Sequence, residues 1–578
     1  MVASRPSSSQ QSPKASTDKD LEGQYHKYKL RIDRGINKVS PEFLAQVREV
    51  RVEESLYQTS RFTIILDNPY GPGWDNAKPG EYTDQFEPGE EWSIYLTASR
   101  AQPQVFQKPY AGRVIKGKAT RIEADFNTKT QGGIKIIGYD GLYAFHEGVH
   151  NRTFARQKHS DIVRRLAQDV GITNFIIDDT GFEDEYVFQV DETNMQFITK
   201  LAALNGYEFF IQCSDELGKD GKETLYFRKP KAMGQEIPIK LTWGQNIRRI
   251  QPRYIKLPVD FIHVPYWKYE DKDIYETKKS RKTGTTLTKT GWQADAPSVN
   301  GTGTLKVPGS WHTSSPEKTD RVTQSLCNEF QGQFMCAEVE AEGNATIRPG
   351  RIVELPDIPK TQKGSTDKFA GNYYVTETCH HYKEGVLTTY FTVADSGGYS
   401  LLAHNLSTEH RLKPGQTNLV GLVTDNVDPK NMGRVKVKFP TLENQNSYWA
   451  RMVMPGAGAD RGFDCLPEIN DEVMVAFEHG DIHRPYIIGG VWNGKDKPPE
   501  PVSKSVGGGK VRLRTFKTRV GHQMQFVDDN VAGRNKGIYI ETAGGLKIEM
   551  DDTKKSILIE VPGGGHIKLD SLGVSING

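Results

Sequence analysis

Three short stretches carry residue types that could do chemistry. His479-Gly-Asp481-Ile-His483 sets two imidazoles and a carboxylate at alternate positions, a donor set that zinc accepts when three or four ligands and an orienting shell converge. Gly480 and Pro485 mark the same stretch as a turn, so the loop reading outweighs the metal reading. Cys379-His380-His381 falls in an alternating strand pattern, where neighbouring side chains face opposite ways and do not converge. Gly507-Gly-Gly-Lys510 has the composition of a phosphate loop, but no glycine stands five residues before Gly509, and Val511 occupies the place of the magnesium-binding Ser or Thr. It is expected as a flexible entry to the segment that follows. No Gly-x-Ser-x-Gly elbow is present. No cofactor and no metal are expected.

A fourth candidate is a basic row of Lys430, Arg434, Lys436, Lys438 and Arg451. Single-stranded nucleic acid needs aromatic side chains interleaved with such charge. Only Tyr448 and Trp449 lie nearby, and acidic residues are as frequent, so the row reads as a solvated face and no nucleic-acid partner is expected.

The elements that carry these residues are mostly strands. From Asp471 to Gly494, Val473, Val475 and Phe477 alternate with polar or smaller residues, a turn follows, and an apolar run from Tyr486 to Trp492 returns. Upstream, Asn418 to Thr424 and Arg434 to Phe439 flank a loop, with Val435, Val437 and Phe439 facing inward and Arg434, Lys436 and Lys438 outward. Tyr448 to Met454 adds a strand. Short strands with this punctuation predict a five-stranded barrel of the OB type over 418–494.

Residues 23–400 read as a run of strands closing into barrels, interrupted by helices at Ile162 to Val170, Met195 to Asn205 and Pro316 to Phe334. Ser160-Asp161 and Asn194 are the expected caps of the first two. Tyr266 to Pro308 is polar and reads as a mobile, loop-rich insertion. Residues 1–22 hold hardly an apolar side chain and are expected to be disordered. Residues 401–417 and 495–509 are expected linkers, the latter stiffened by prolines.

From 510 to 578, apolar residues alternate with polar ones at Ile538, Ile540, Leu546, Ile548, Ile557, Ile559, Val561, Ile567, Leu569, Val574 and Ile576, with glycine or charged turns about every ten residues. One chain of this kind cannot cover its own apolar face. Three chains around one axis can, which predicts a trimeric β-helix needle with these residues inside. The competing reading is an ordinary hairpin sheet packed on the barrel.

Global properties fit a structural β protein. The 578 residues hold 75 basic and 73 acidic side chains, a net charge of +2, so no strong field favours nucleic acid or acidic lipid. Mean hydropathy is −0.60, and no run approaches the ~20 apolar residues of a membrane-spanning helix. Five scattered cysteines without a Cys-x-x-Cys pair fit synthesis in a bacterial cytoplasm. No Sec-type signal is read at the N-terminus.

Two sets of motifs carry a resemblance. VDPKNMGRVKVKFP, WARMVMPGAG and DEVMVAFEHGDIHRPYIIGGVWNG resemble the OB module of VgrG-type spikes of contractile injection systems, with Asp428, Pro429, Gly433, Trp449, Phe477, Gly480 and Pro485 as the matching signature. RVEESLYQTSRFTIIL, EPGEEWSIYL, IIGYDGLYAFHEG, ATIRPGRIVEL and FAGNYYVTETCHHY resemble the phage late-control protein D hub, over roughly 25–398. The resemblance implies two tube-like β-barrels per chain, a homotrimer docked under a hexameric inner tube among baseplate components, and a needle that pierces the target cell envelope without catalysis. It further implies a PAAR-like tip protein seated on Ser575, Ile576, Asn577 and Gly578, with effector cargo as a further partner. An extracellular phage-tail-like particle is the favoured subtype, with a phage tail or type VI spike as the alternative. A tail-associated cell-wall hydrolase is the alternative of another class, but it needs a paired-carboxylate cleft, and only short linkers flank the barrel.

Overall fold

The computed structural model describes residues 28–69, 86–97, 111–125, 131–213, 222–233, 238–254, 259–268, 273–290, 304–306, 315–333, 335–355, 369–393, 417–442, 444–531 and 533–577. The expected disordered tail (1–22), nearly all of the 401–417 linker and Gly578 lie outside these residues. The chain divides into two compact units, Met1–Thr417 with Phe477–Arg484, and Asn418–Ala476 with Pro485–Gly578.

The first unit is built on one sheet of fourteen strands. Alternation fixes its faces: in Val47–Ser55 and Arg61–Pro69, Val50, Val52, Phe62, Ile64 and Leu66 are fully buried, and the residues between them are more exposed or polar. These side chains, with Ile32, Trp92, Ile94, Ile134 and Ile136, form one core. Ile239, Met335, Val339, Val353, Tyr373, Val375, Phe391 and Val393 form a second. The strand Gly371–Lys383 joins the two halves, because Glu377 to Lys383 pairs on one side with Ser55 to Glu49 and on the other with Thr392 to Val386. Among the described residues, pairing runs as one continuous sheet over both cores, with no ladder that closes either half on itself.

A helical layer lies between Tyr139 and Arg228 and forms its own core around Phe145, Ile162, Leu166, Phe197, Leu201 and Phe227. The helices are His159–Asp169, Asn194–Asn205 and, later, Pro316–Gly332. Two expected caps are corrected. The first helix begins before Ser160, whose hydroxyl instead accepts from Thr180 N–H and Oγ1–H. The second is capped by Thr193 in a reciprocal box with Gln196, not by Asn194. Gly206 ends it at φ 66°, where a side chain would be strained. The expected loop-rich insertion is also corrected: Phe261–Lys268 and Asp273–Ser280 form an antiparallel hairpin. Ile262 and Val264 are buried in it against Val322, Leu326 and Phe330 of the third helix.

In the second unit, the small barrel has the strands Leu419–Asp425, Lys436–Phe439, Gln445–Asn446, Arg451–Met452, Glu472–Phe477 and Pro485–Gly490. It closes where Val435 and Ala450 exchange both backbone hydrogen bonds, at 3.0 and 2.7 Å. Val423, Val435, Val437, Phe439, Val473, Val475 and Ile487 fill it. The 495–509 segment is more structured than a linker. Val502–Ser505 is a helical turn, and Val506–Gly507 pairs with Lys510–Val511 across Gly508 and Gly509, both at positive φ.

Seven strands follow as an antiparallel meander, Leu513–Lys517, Gln523–Val527, Gly537–Glu541, Lys547–Asp551, Ser556–Glu560, His566–Asp570 and Gly573–Asn577, each paired only with its sequence neighbours.

Candidate assembly face of the C-terminal sheet

The register of the meander lines its apolar residues up. Met524 opposes Ile540, Ile540 opposes Ile548, Ile548 opposes Ile559, Ile559 opposes Ile567 and Ile567 opposes Ile576. A second column runs Phe526, Ile538, Met550, Ile557, Leu569, Val574. Directly paired residues share a face, so one face is apolar along its whole length. The other face carries the columns Glu541, Lys547, Glu560, His566, Asn577 and Tyr539, Glu549, Leu558, Lys568, Ser575. It is laced by ion pairs such as Arg534–Glu541 at 2.7 Å.

The apolar face is left uncovered by the described residues of its own chain. Ile540 and Ile548 are each 36% exposed, Ile559 42%, Val574 65% and Ile576 73%. Nine of the eleven needle residues named from the sequence occupy the two columns; Leu546 and Val561 flank their strands at the same parity. Met524, Phe526 and Met550 complete the columns and were not in that set. Their signal was the same alternation, read through Met and Phe as well as Ile, Leu and Val.

At the far end, Gly573–Asn577 pairs only with His566–Asp570, so it is an edge strand. The expected tip residues do not share a side. Ile576 continues the apolar column, whereas Ser575 and Asn577 face the charged side, where Asn577 Nδ2 lies 3.3 Å from His566 Nε2.

The barrel signature converges on one carboxylate. Asp428 Oδ1 accepts from Lys430 N–H at 3.0 Å, Oδ2 from Met432 N–H at 2.9 Å, and the two oxygens receive Arg434 Nη2 and Nε at 2.7 and 3.0 Å. Burial opposes ionisation, but Arg434 and the backbone donors outweigh it and hold the carboxyl well below the usual range. Gly433 turns the loop at φ 66°. Arg434, expected on the solvated face, is 1% exposed. Its guanidinium and the Lys436 ammonium lie 5.8 and 4.7 Å from the Trp449 ring, so this indole holds the protein's own cations. The basic row is therefore internal wiring at this point.

The candidate chemistries fall apart in space. His483 Nδ1 pairs with Asp481 Oδ1 at 2.8 Å and its Nε2 accepts Phe188 N–H at 3.0 Å, both inside the first unit, so both ring nitrogens are committed. His479 sits at φ 53° in a 3-10 turn. His380 is fully buried in the first unit beside Arg348, and burial pushes its pKa down to about 3. His381 faces the other way, 3.0 Å from Glu49, and burial raises the Cys379 thiol to about 11. A zincin-type His-Glu-x-x-His pattern does stand in the sequence, at His146-Glu147-Gly148-Val149-His150, but it needs one helix to bring its imidazoles together. Here a 3-10 helix ends at His146, Gly148 takes φ 72° and His150 opens a strand. His146 Nε2 is 2.8 Å from Thr59 Oγ1. Among the described residues no group of three or more His, Cys, Asp or Glu side chains is placed to hold a metal.

In the first unit, Arg348 is fully buried and hydrogen-bonded to Glu54 at 3.1 Å, Val114 O at 2.8 Å and Cys213 O at 3.1 Å. One side chain thus ties three distant segments together.

Residues 419–492 match the family model described as the type VI secretion system/phage-baseplate injector OB domain, and residues 44–384, well over half of the chain, match that of the Alg8 N-terminal domain. The type VI secretion system spike protein VgrG1c of Pseudomonas aeruginosa is 22% identical over 430 residues, covering 70% of this chain and 56% of that protein. The actin cross-linking toxin VgrG1 of Vibrio cholerae is 24% identical over 424 residues, covering 68% of this chain and 36% of the toxin. The chain spans about half the length of the curated spike relatives it matches first. Among solved structures, a chain of the lidless Francisella PdpA–VgrG complex shares the fold with a TM-score of 0.54 at 10% identity, over 96% of this chain and 98% of that one.

Proposed function

The chain belongs to the Alg8 N-terminal domain family and is a VgrG-like spike protein, and on that premise we propose that three copies assemble into the central hub and spike of a contractile injection baseplate. The N-terminal sheet docks under the inner tube among baseplate components, the OB barrel forms the neck, and the C-terminal sheets of three copies pack their apolar faces on one axis as a needle. The action is mechanical: contraction drives tube and needle into the target envelope, and no step is catalytic. A PAAR-like tip protein covers the last strand, where Leu572, Val574 and Ile576 are the most exposed apolar residues of the sheet. The particle is built in the bacterial cytoplasm, an extracellular phage-tail-like form is the favoured subtype, and effector cargo is a further partner.

The observation that carries this reading is the uncovered apolar face. Fully burying a side chain of this size is worth ~1.5–3 kcal/mol, and the two columns hold twelve such residues in each chain. A monomer forgoes much of that stabilisation, and exposed patches of this kind mark interfaces. Within each chain the sheet strands pair with their sequence neighbours, so the contact between the apolar faces is made by side chains on the axis. Lysine-reactive cross-linking at increasing reagent concentration tests the stoichiometry. A ladder that ends at three chains agrees; cross-links confined to single chains oppose it.

A further inference from the structure

We infer that the hairpin arm of the barrel, residues 455–466, is a plug that closes the barrel end of the needle core, with Phe463 packing against the first two needle strands of a second copy of this chain. The inference rests on the trimeric reading above and adds a residue to it that lies outside the needle.

The arm is exposed throughout, yet built. Ala457–Gly458 pairs with Arg461–Gly462 around Asp460 at φ 53°. A Cβ on Gly462 would lie 2.4 Å from Gly456 O, so the hairpin needs glycine there. Its root is held on the barrel: Asn426 Nδ2 donates to Pro467 O at 3.2 Å, and Glu468 N–H donates to Asp471 Oδ2 at 2.8 Å. Against the needle, Glu468 at the root pairs with Arg519 at 2.8 Å and the Phe463 ring of the arm meets Phe516 edge-on at 6.0 Å.

Phe516 is where the apolar face begins. It opposes Met524, and Met524 heads the column that ends at Ile576. In the neighbouring column the same first strand carries Arg514, ion-paired to Asp528, so apolar character stops there. Phe463 continues the apolar column past the edge of the sheet and onto the barrel. Contact with each other still leaves Phe463 47% and Phe516 49% exposed. Rings that touch edge-on within one chain yet keep half their surface free fit a site completed by another chain. The apolar face they extend is the one a second copy must cover, which makes that copy the occupant. Without the plug, water would enter the core at its first row.

Phe463→Ser in the full chain tests this. The variant is expected to remain trimeric, but subunit exchange between differently labelled trimers should quicken by about tenfold, the scale of one lost aromatic pair. Amide exchange should quicken likewise at Leu513–Lys517 and Gln523–Val527 while His566–Asp570 is unchanged. The photoreactive analogue benzoylphenylalanine placed at position 463 should give cross-links between chains that map to residues 513–527. A trimeric chain with unchanged exchange after Phe463→Ser, or cross-links only within a chain, overturns the plug alone. A chain that is monomeric before any substitution overturns the plug together with the trimeric reading.

Discussion

Ile548 and Ile559 stand directly opposite each other on the apolar face of the C-terminal sheet, and both remain more than a third exposed in the chain by itself. A cross-strand pair of this kind in a monomeric protein is normally roofed by another layer, because one face of an antiparallel sheet is buried. Here the pair sits mid-column, with apolar neighbours above and below it, so the missing layer has to match the whole face. A hairpin sheet packed on its own barrel would have left the middle of these columns covered.

Placing a charge in that column should therefore act on assembly. Ile559→Asp would put three carboxylates on the axis at once, and burying a charge without a partner is strongly unfavourable. Trimers should be lost at micromolar concentration while each chain keeps its strand signal in far-ultraviolet circular dichroism. Size-exclusion chromatography with mass detection reads this, and intact Ile559→Asp trimers would refute the axial packing.

The Asp428–Arg434 pair should be costly to break from one side. Asp428→Asn removes the charge that faces an arginine with 1% exposure and weakens the acceptor for the loop N–H groups. The expected loss is about 3–5 kcal/mol, read as an earlier unfolding transition of the barrel in urea. A loss below about 1 kcal/mol would mean that the pair is effectively solvent-screened.

Arg348 and Glu54 make the same argument in the first unit, with a control. Glu54→Leu alone leaves a fully buried guanidinium short of its partner and should destabilise by about 3–5 kcal/mol. Glu54→Leu with Arg348→Met replaces the pair by apolar volume and should recover a large part of that loss. Chemical unfolding of the two variants compares them directly; equal losses would show that the carbonyls of Val114 and Cys213 hold Arg348 unaided.

Acid should loosen the helical layer through Asp184. Burial raises the carboxyl pKa, but His159 at 2.7 Å and Lys318 outweigh it and bring it from 3.8 down to about 2. A carboxyl with a depressed folded value stabilises the fold above its unfolded value and loses that contribution as pH falls through the folded one. The contribution, about 2 kcal/mol from the size of the shift, should be complete above pH 4 and fade between about 4 and 2. Asp184→Asn should flatten the pH dependence of stability in that window. An unchanged slope would remove Asp184 from the acid response.

Much of this molecule was legible in its alternation. The first-unit strands, the barrel and the two apolar columns of the C-terminal sheet follow from apolar residues at every second position, because one-sided burial demands that period. What stayed hidden depends on partners far apart in the chain. Arg434 reads as solvated by parity, yet a carboxylate six residues away and an indole take it inside. Glu54 and Arg348 lie 294 residues apart, and no local pattern announces their pairing. Phe463 belongs to an arm without alternation, so only its contact with Phe516 reveals a role. The polar stretch after Tyr266 gains order by pairing with the strand before it and by polar bonds to the third helix, as from Thr277 Oγ1–H to Asp320 Oδ1 at 2.8 Å.

The central claim is that the apolar face is roofed by copies of the same chain, and absolute mass by light scattering tests it most directly. The full chain should give close to three times 64.9 kDa, and removal of residues 510–578 should lower the mass toward one chain. A compact particle of one chain mass, before and after that removal, would contradict the account.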